Sequence, residues 1–91
     1  MDDVETTDIF LNELNNCLRF DDFLELGSNY FDLPIPNLCD IYALMSHYER
    51  LEDRNTYVEN HCFRDNVIKQ QMILHWFDTV RRAHKLQSSF Q

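Results

Sequence analysis

The stretch Asn66-Val67-Ile68-Lys69-Gln70-Gln71-Met72-Ile73-Leu74-His75-Trp76-Phe77-Asp78-Thr79-Val80-Arg81-Arg82-Ala83-His84-Lys85-Leu86-Gln87 decides the fold class, because it contains neither Gly nor Pro and keeps helical periodicity over about six turns. Ile68, Met72, Trp76, Val80 and Ala83 fall on one side of a helix, while Val67, Leu74 and Phe77 line another. A long helix over about 66–87, capped by Asp65 and buried on more than one face, is expected from this pattern. His75, next to Trp76, is expected as a hydrogen-bonded histidine at the edge of the core. Arg81, Arg82, His84 and Lys85 place cations near the negative end of the helix dipole, worth about 0.3–1 kcal/mol each. The densest apolar run, Met72–Phe77, falls far short of the roughly 20 residues that cross a bilayer.

Working back from this stretch, Thr56-x-x-Glu59 has capping-box spacing, which predicts a short helix over about 57–63. Asn37 is positioned to cap a helix over about 38–52, with Asp40 reaching back to it. Leu38, Ile41, Tyr42, Leu44, Met45, Tyr48 and Leu51 would form its broad apolar face. Before it, Leu33-Pro34-Ile35-Pro36-Asn37 reads as an extended connector, since each Pro pushes its predecessor out of helical geometry. Asp21 or Asp22 offers a cap for a short helix of about 22–26, and Gly27 its left-handed stop, with a further turn through Tyr30, Phe31 and Leu33 as the alternative. Phe10, Leu11, Leu14, Cys17 and Leu18 form one stripe of a first helix over about 8–19, capped by Thr6 or Thr7. One Gly and two Pro among 91 residues leave little means for tight hairpins. The expected fold is therefore all-α: one domain over residues 1–91, a compact bundle of four or five helices whose long C-terminal helix packs against helices 1 and 3.

Charge divides the chain unevenly. Sixteen acids against eight bases give −8, and residues 1–33 carry the whole of it: Asp2, Asp3, Glu5, Asp8, Glu13, Asp21, Asp22, Glu25 and Asp32 against Arg19. Such a balance repels nucleic-acid phosphate and suits basic partners or simple solubility. Arg81, Arg82 and Lys85 near Trp76 are too few cations for a duplex footprint, so nucleic-acid binding is not expected. Three cysteines, Cys17, Cys39 and Cys62, with no C-x-x-C, read as free thiols that pack as small hydrophobes in a reducing compartment. MDDVETTD, with no base, is unlike a secretory or transit leader. A cytoplasmic or nuclear location, with no membrane association, follows as the expectation.

Reactive constellations are absent from the pattern. The one glycine lies outside any phosphate cradle or nucleophile elbow. Asp2-Asp3 and Asp21-Asp22 are adjacent acids that point about 100° apart on a helix and serve capping and solvation. Cys39, His47, His61 and Cys62 lack paired zinc-ligand spacing. Neither an enzyme nor a cofactor or metal protein is expected. Twelve aromatics exceed what a small core ordinarily hides, which points to a non-catalytic protein–protein interaction module using an aromatic-rich helical face, its partner another protein or a second copy. Tyr30, Phe31, Leu33 and Ile35, beside the prolines, are the candidate contact residues, with Asp21, Asp22, Arg81 and Arg82 as the charged ones. The alternative is a small acidic regulator that occludes a basic surface of an enzyme or nucleic-acid-binding protein. Trp76 and Leu44 are both expected to be core side chains whose truncation costs about 2–5 kcal/mol.

Overall fold

Five α-helices make up the described chain, and no strand is present among the described residues: α1 (Asp3–Asn15), α2 (Phe20–Phe31), α3 (Ile35–Ser46), α4 (Leu51–His61) and α5 (Val67–Ser89). The computed structural model describes the backbone of residues 3–89 and the side chains of residues 5–84. Asp2 and the side chains of Asp3, Lys85, Leu86 and Gln87, named above, lie outside the described residues.

The quoted stretch folds as its periodicity predicts. Met72, Ile73, Trp76, Phe77 and Val80 are fully buried on α5. Its cap is Asn66 rather than Asp65, because the Asn66 side chain accepts the Lys69 N–H at 3.1 Å while Asp65 lies in the left-handed region at φ 69°. Val67 and Ile68, in the first turn, stay exposed. So does His75, which is therefore not a core-edge histidine.

Helices α1 and α2 differ from expectation at both ends. α1 begins before Thr6 and Thr7 and ends at Asn15, where Asn16 and Cys17 close it with N–H bonds to Glu13 O and Leu14 O. Cys17 and Leu18 are therefore left outside the helix. α2 extends from Phe20 to Phe31, with Asp22 in its first turn accepting the Arg19 backbone N–H at 3.3 Å. Gly27 is not its stop. The left-handed cap is Asp32 at φ 55°, and Gly27 is a buried interior residue where a Cβ would stand 3.1 Å from both Leu38 Cδ1 and Trp76 Nε1. This missing side chain lets α5 and α3 approach α2 closely. Trp76 then lies across α2, its indole N–H donating to Phe23 O at 2.8 Å.

The Pro34–Pro36 connector is also shorter than predicted. Pro34 is the N-cap of α3 and Pro36 stands in its first turn, where the N–H it lacks would have had no helical partner. Ile35, Pro36 and Asn37 are thus helical, and neither Asn37 nor Asp40 caps. α3 stops at Ser46, leaving Tyr48 in a loop and Leu51 at the start of α4. Leu44 is 47% exposed because the buried side of α3 runs through Leu38 and Met45. A core-sized loss on its truncation is accordingly not expected. Thr56, the anticipated cap of α4, is mid-helix with its hydroxyl donating to Glu52 O at 2.9 Å.

α5 packs against α1, as expected, and against α2 and α4 rather than α3. α3 rests on α2 and touches α5 through the Tyr42 ring, which meets Trp76 and Phe77 at 6.2 and 5.2 Å. The core has no buried polar or charged residue among the described side chains. No described helix is long and apolar enough to cross a membrane.

Candidate functional site

The aromatic side chains turn inward. Of those described, Phe20 alone is exposed; Phe10, Phe23, Phe31, Trp76 and Phe77 are buried and the remainder are half-buried. Phe31 sits among Phe10, Phe63 and Trp76 at centroid distances of 5.5, 5.5 and 6.4 Å, so it belongs to the core and cannot contact a partner. Tyr30 lies edge-on to Phe10 at 5.0 Å, its hydroxyl pKa raised by burial and by the Glu13 carboxylate beside it. Leu33 is half-buried and Ile35 exposed. The aromatic face expected at the prolines is therefore missing, because edge-to-face ring pairs inside the bundle absorb most of these side chains.

Apolar exposure occurs elsewhere and is aliphatic. Leu18 is 78% exposed, Leu51 62% and Val67 65%. Leu18 lies in the short link between α1 and α2 because α1 ends three residues before it. Its neighbours Cys17 and Phe20 line a shallow groove shared by the end of α1, the start of α2 and the last described turns of α5. One part, about 320 Å³, is walled by Leu14, Cys17, Phe23, Arg82 and Ala83. A continuation passes Phe20, Val80 and His84. Here the fold unites charges that the sequence separates widely. Cys17 has its thiol pKa raised by burial, then by the carboxylates of Asp22 and Glu13. Arg82 lines the same part of the groove as Cys17, and His84 lines the part at Phe20.

Asp21 is exposed. Arg81 covers the Phe77 ring at 6.0 Å. Arg82 is paired with Asp78 at 3.9 Å, both side chains more than half exposed. A surface pair of that kind contributes little.

A second groove follows α4 and α5. Leu51, Arg54, Asn55, Leu74 and Asp78 line one half, and Asn55, Glu59, Val67, Gln71 and Leu74 the other. Its arginine is already satisfied: Arg54 donates to Tyr48 O at 2.9 Å and Glu49 O at 3.2 Å, lies 5.1 Å from the Phe77 centroid and is 3.8 Å from Asp78.

The thiols and histidines do not converge. Cys62 is buried and its pKa is raised by that burial, which disfavours the thiolate, as it does at Cys17. His61 stacks on Tyr57 at 5.2 Å. Among the described residues no group of three or more His, Cys, Asp or Glu side chains is arranged to hold a metal ion, and no buried side-chain polar atom lacks a hydrogen bond.

Sequence reasoning missed Leu18, Phe20, Leu51 and Val67 as surface residues. The Asn15-Asn16 pair, poor in helix propensity, was the signal that α1 ends before Leu18. The chain matches no family model, no curated protein and no solved structure.

Proposed function

We propose that the protein is a non-catalytic protein–protein interaction module that works through aliphatic side chains held at its surface, foremost at the α1–α2 corner. The observation that carries this reading is Leu18, 78% exposed and next in the chain to Cys17, which lines a groove with the core residues Leu14 and Phe23. Covering apolar surface contributes about 25 cal/mol per Å² before the costs of association. The three free thiols suit a reducing compartment, the cytosol or nucleus. Retention of a partner, or self-association in sedimentation velocity, should be lost in Leu18→Asp with an unchanged helical circular dichroism spectrum. Binding at wild-type strength by Leu18→Asp and Leu51→Asp alike would refute it.

A second reading has its own support. Glu5, Asp8, Glu13, Asp21, Asp22, Glu25 and Asp32 are all exposed, and none is in an ion pair among the described residues. Such a face fits an acidic regulator that covers a basic surface. Binding of this kind weakens steeply as salt screens exposed charge, over about 10 Å at 0.1 M. The informative variant is Asp21→Lys with Glu25→Lys, since Asp22 also caps α2. Affinity unchanged by both salt and this variant would exclude the regulator reading.

A further inference from the structure

We propose that α4, together with the turn 62–66 that follows it, is a hinged flap that swings off α5 as one unit while α1, α2, α3 and α5 stay packed. Its operation does not depend on what the module binds. α4 rests on α5, and it is the helix least able to stay there by burial. Of its eleven residues only Leu51, Tyr57 and Val58 bring a largely apolar side chain, and Val58 is the one that is buried. By contrast α2 buries Phe23, Leu24 and Phe31, and α3 buries Leu38 and Met45. An element with so little buried apolar surface opens at a lower free energy than the rest of its fold.

Each end of α4 is a hinge latched by one polar side chain. At the leading end, Arg54 holds Tyr48 O and Glu49 O of the loop at 2.9 and 3.2 Å and reaches α5 at Asp78 and the Phe77 ring. At the trailing end, the Gln70 amide of α5 donates to Cys62 O and Phe63 O at 3.1 and 3.3 Å. That trailing turn is strained. Phe63 at φ 51° and Asp65 at φ 69° occupy the left-handed region, which a bulky side chain enters only under constraint. The constraint on Phe63 is its ring, set against Phe31 at 5.5 Å and under the Lys69 ammonium 5.5 Å from the ring centre, together with the two Gln70 bonds. Strain released on opening offsets part of what breaking those bonds costs. Opening uncovers Val58 and Cys62, both buried when the flap is closed, and widens the groove that Val58 shares with Val67 and Leu74.

The Cys62 thiol reports the opening. It is 5% exposed and burial raises its pKa, so the closed form reacts slowly with an alkylating reagent. The test follows alkylation of Cys62 by iodoacetamide on the full chain, resolved from Cys17 and Cys39 by peptide mass spectrometry, alongside amide exchange at rising sub-denaturing urea. The α4 amides should exchange together, with protection roughly tenfold or more below that of α2, and with a shallower urea dependence because less surface is exposed. Cys62 alkylation should share that dependence. Leu24→Ala weakens the part that stays packed in both forms, so it should speed α2 exchange by roughly tenfold or more and leave Cys62 alkylation unchanged. Gln70→Ala removes a latch and should raise Cys62 alkylation by roughly tenfold. One urea dependence shared by α4, Cys62 and α2 would show that α4 leaves α5 only in global unfolding, and α4 exchange that proceeds residue by residue without urea dependence would show fraying. Either result overturns the proposal, as does alkylation that rises with Leu24→Ala in step with α2 exchange or ignores Gln70→Ala. The urea comparison uses wild type alone and decides the matter even where Leu24→Ala does not fold.

Discussion

The two helical hairpins flanking the core, α1–α2 and α4–α5, are held by different physics. α1 and α2 contribute Phe10, Leu14, Phe23, Leu24 and Phe31 to the buried set, and their exposed acids are in no ion pair among the described residues. α4 contributes Val58 alone. It is fixed instead by Arg54, which ties the preceding loop to α5, by Gln70, whose amide donates to Cys62 O and Phe63 O at 3.1 and 3.3 Å, and by the Tyr48–Tyr57 ring pair at 5.7 Å. Where apolar area is plentiful, charged side chains are left to face outward. Where it is scarce, polar groups are spent on holding a helix in place.

The strongest way to break this comparison is to remove Trp76, the fully buried side chain through which α5 grips α2. Trp76→Ala leaves a large cavity beside Gly27 and strips Phe23 O of its indole donor, and should cost about 3–5 kcal/mol in urea unfolding, a large share of the roughly 5–15 kcal/mol of an ordinary domain. A loss below about 1.5 kcal/mol would mean that the core does not centre on this contact. Arg54→Ala comes next. It should cost about 1–3 kcal/mol through two lost carbonyl bonds and lost stem packing, and its signature should be local: amide exchange in α4 accelerates while α2 keeps its protection. Equal loss of protection in both hairpins would erase the distinction drawn between them.

How much of this was legible in the sequence depended on which interaction set each boundary. In α5, Met72, Trp76, Phe77 and Val80 read correctly because they are core residues whose spacing reports burial directly, whereas the buried Ile73 fell on neither expected face and Val67 and Ile68, in a first turn that nothing covers, are exposed. The stop at Gly27 read wrongly because local turn preference was overridden by a tertiary need for close approach, visible only once Trp76 and Leu38 were in place. Pro36 misled in the opposite direction, since a first-turn proline forgoes no helical hydrogen bond. Thr56-x-x-Glu59 had the spacing of a cap, yet α4 already begins at Leu51. At the site, Cys17 was legible as a small thiol and Arg82 as a charge, but that they line one groove depends on the packing of α1 and α2 against α5. Leu18 was hidden by a stripe that continued its periodicity past the end of the helix.

Two substitutions with the same local logic should sharpen the contrast by moving stability in opposite directions. Gly27→Ala improves intrinsic helix propensity by about 1 kcal/mol, yet its Cβ would stand 3.1 Å from Leu38 Cδ1 and Trp76 Nε1. Overpacking of this kind typically costs about 1–3 kcal/mol. The indole cannot retreat without stretching its bond to Phe23 O, so the net result should be a loss of about 1 kcal/mol. Thr56→Ala makes the corresponding improvement on α4, where the side chain is exposed and its hydroxyl serves only the Glu52 carbonyl one turn back. Nothing packed opposes it, and a β-branched residue is replaced by the best helix former. A gain of about 0.5 kcal/mol or less should appear as a small rise in the urea midpoint at constant slope. Stabilisation by Gly27→Ala would show that the α2–α5 contact yields more easily than its distances imply; a clear loss with Thr56→Ala would show that α4 is held more tightly on its outer face than the sparse burial of that helix allows.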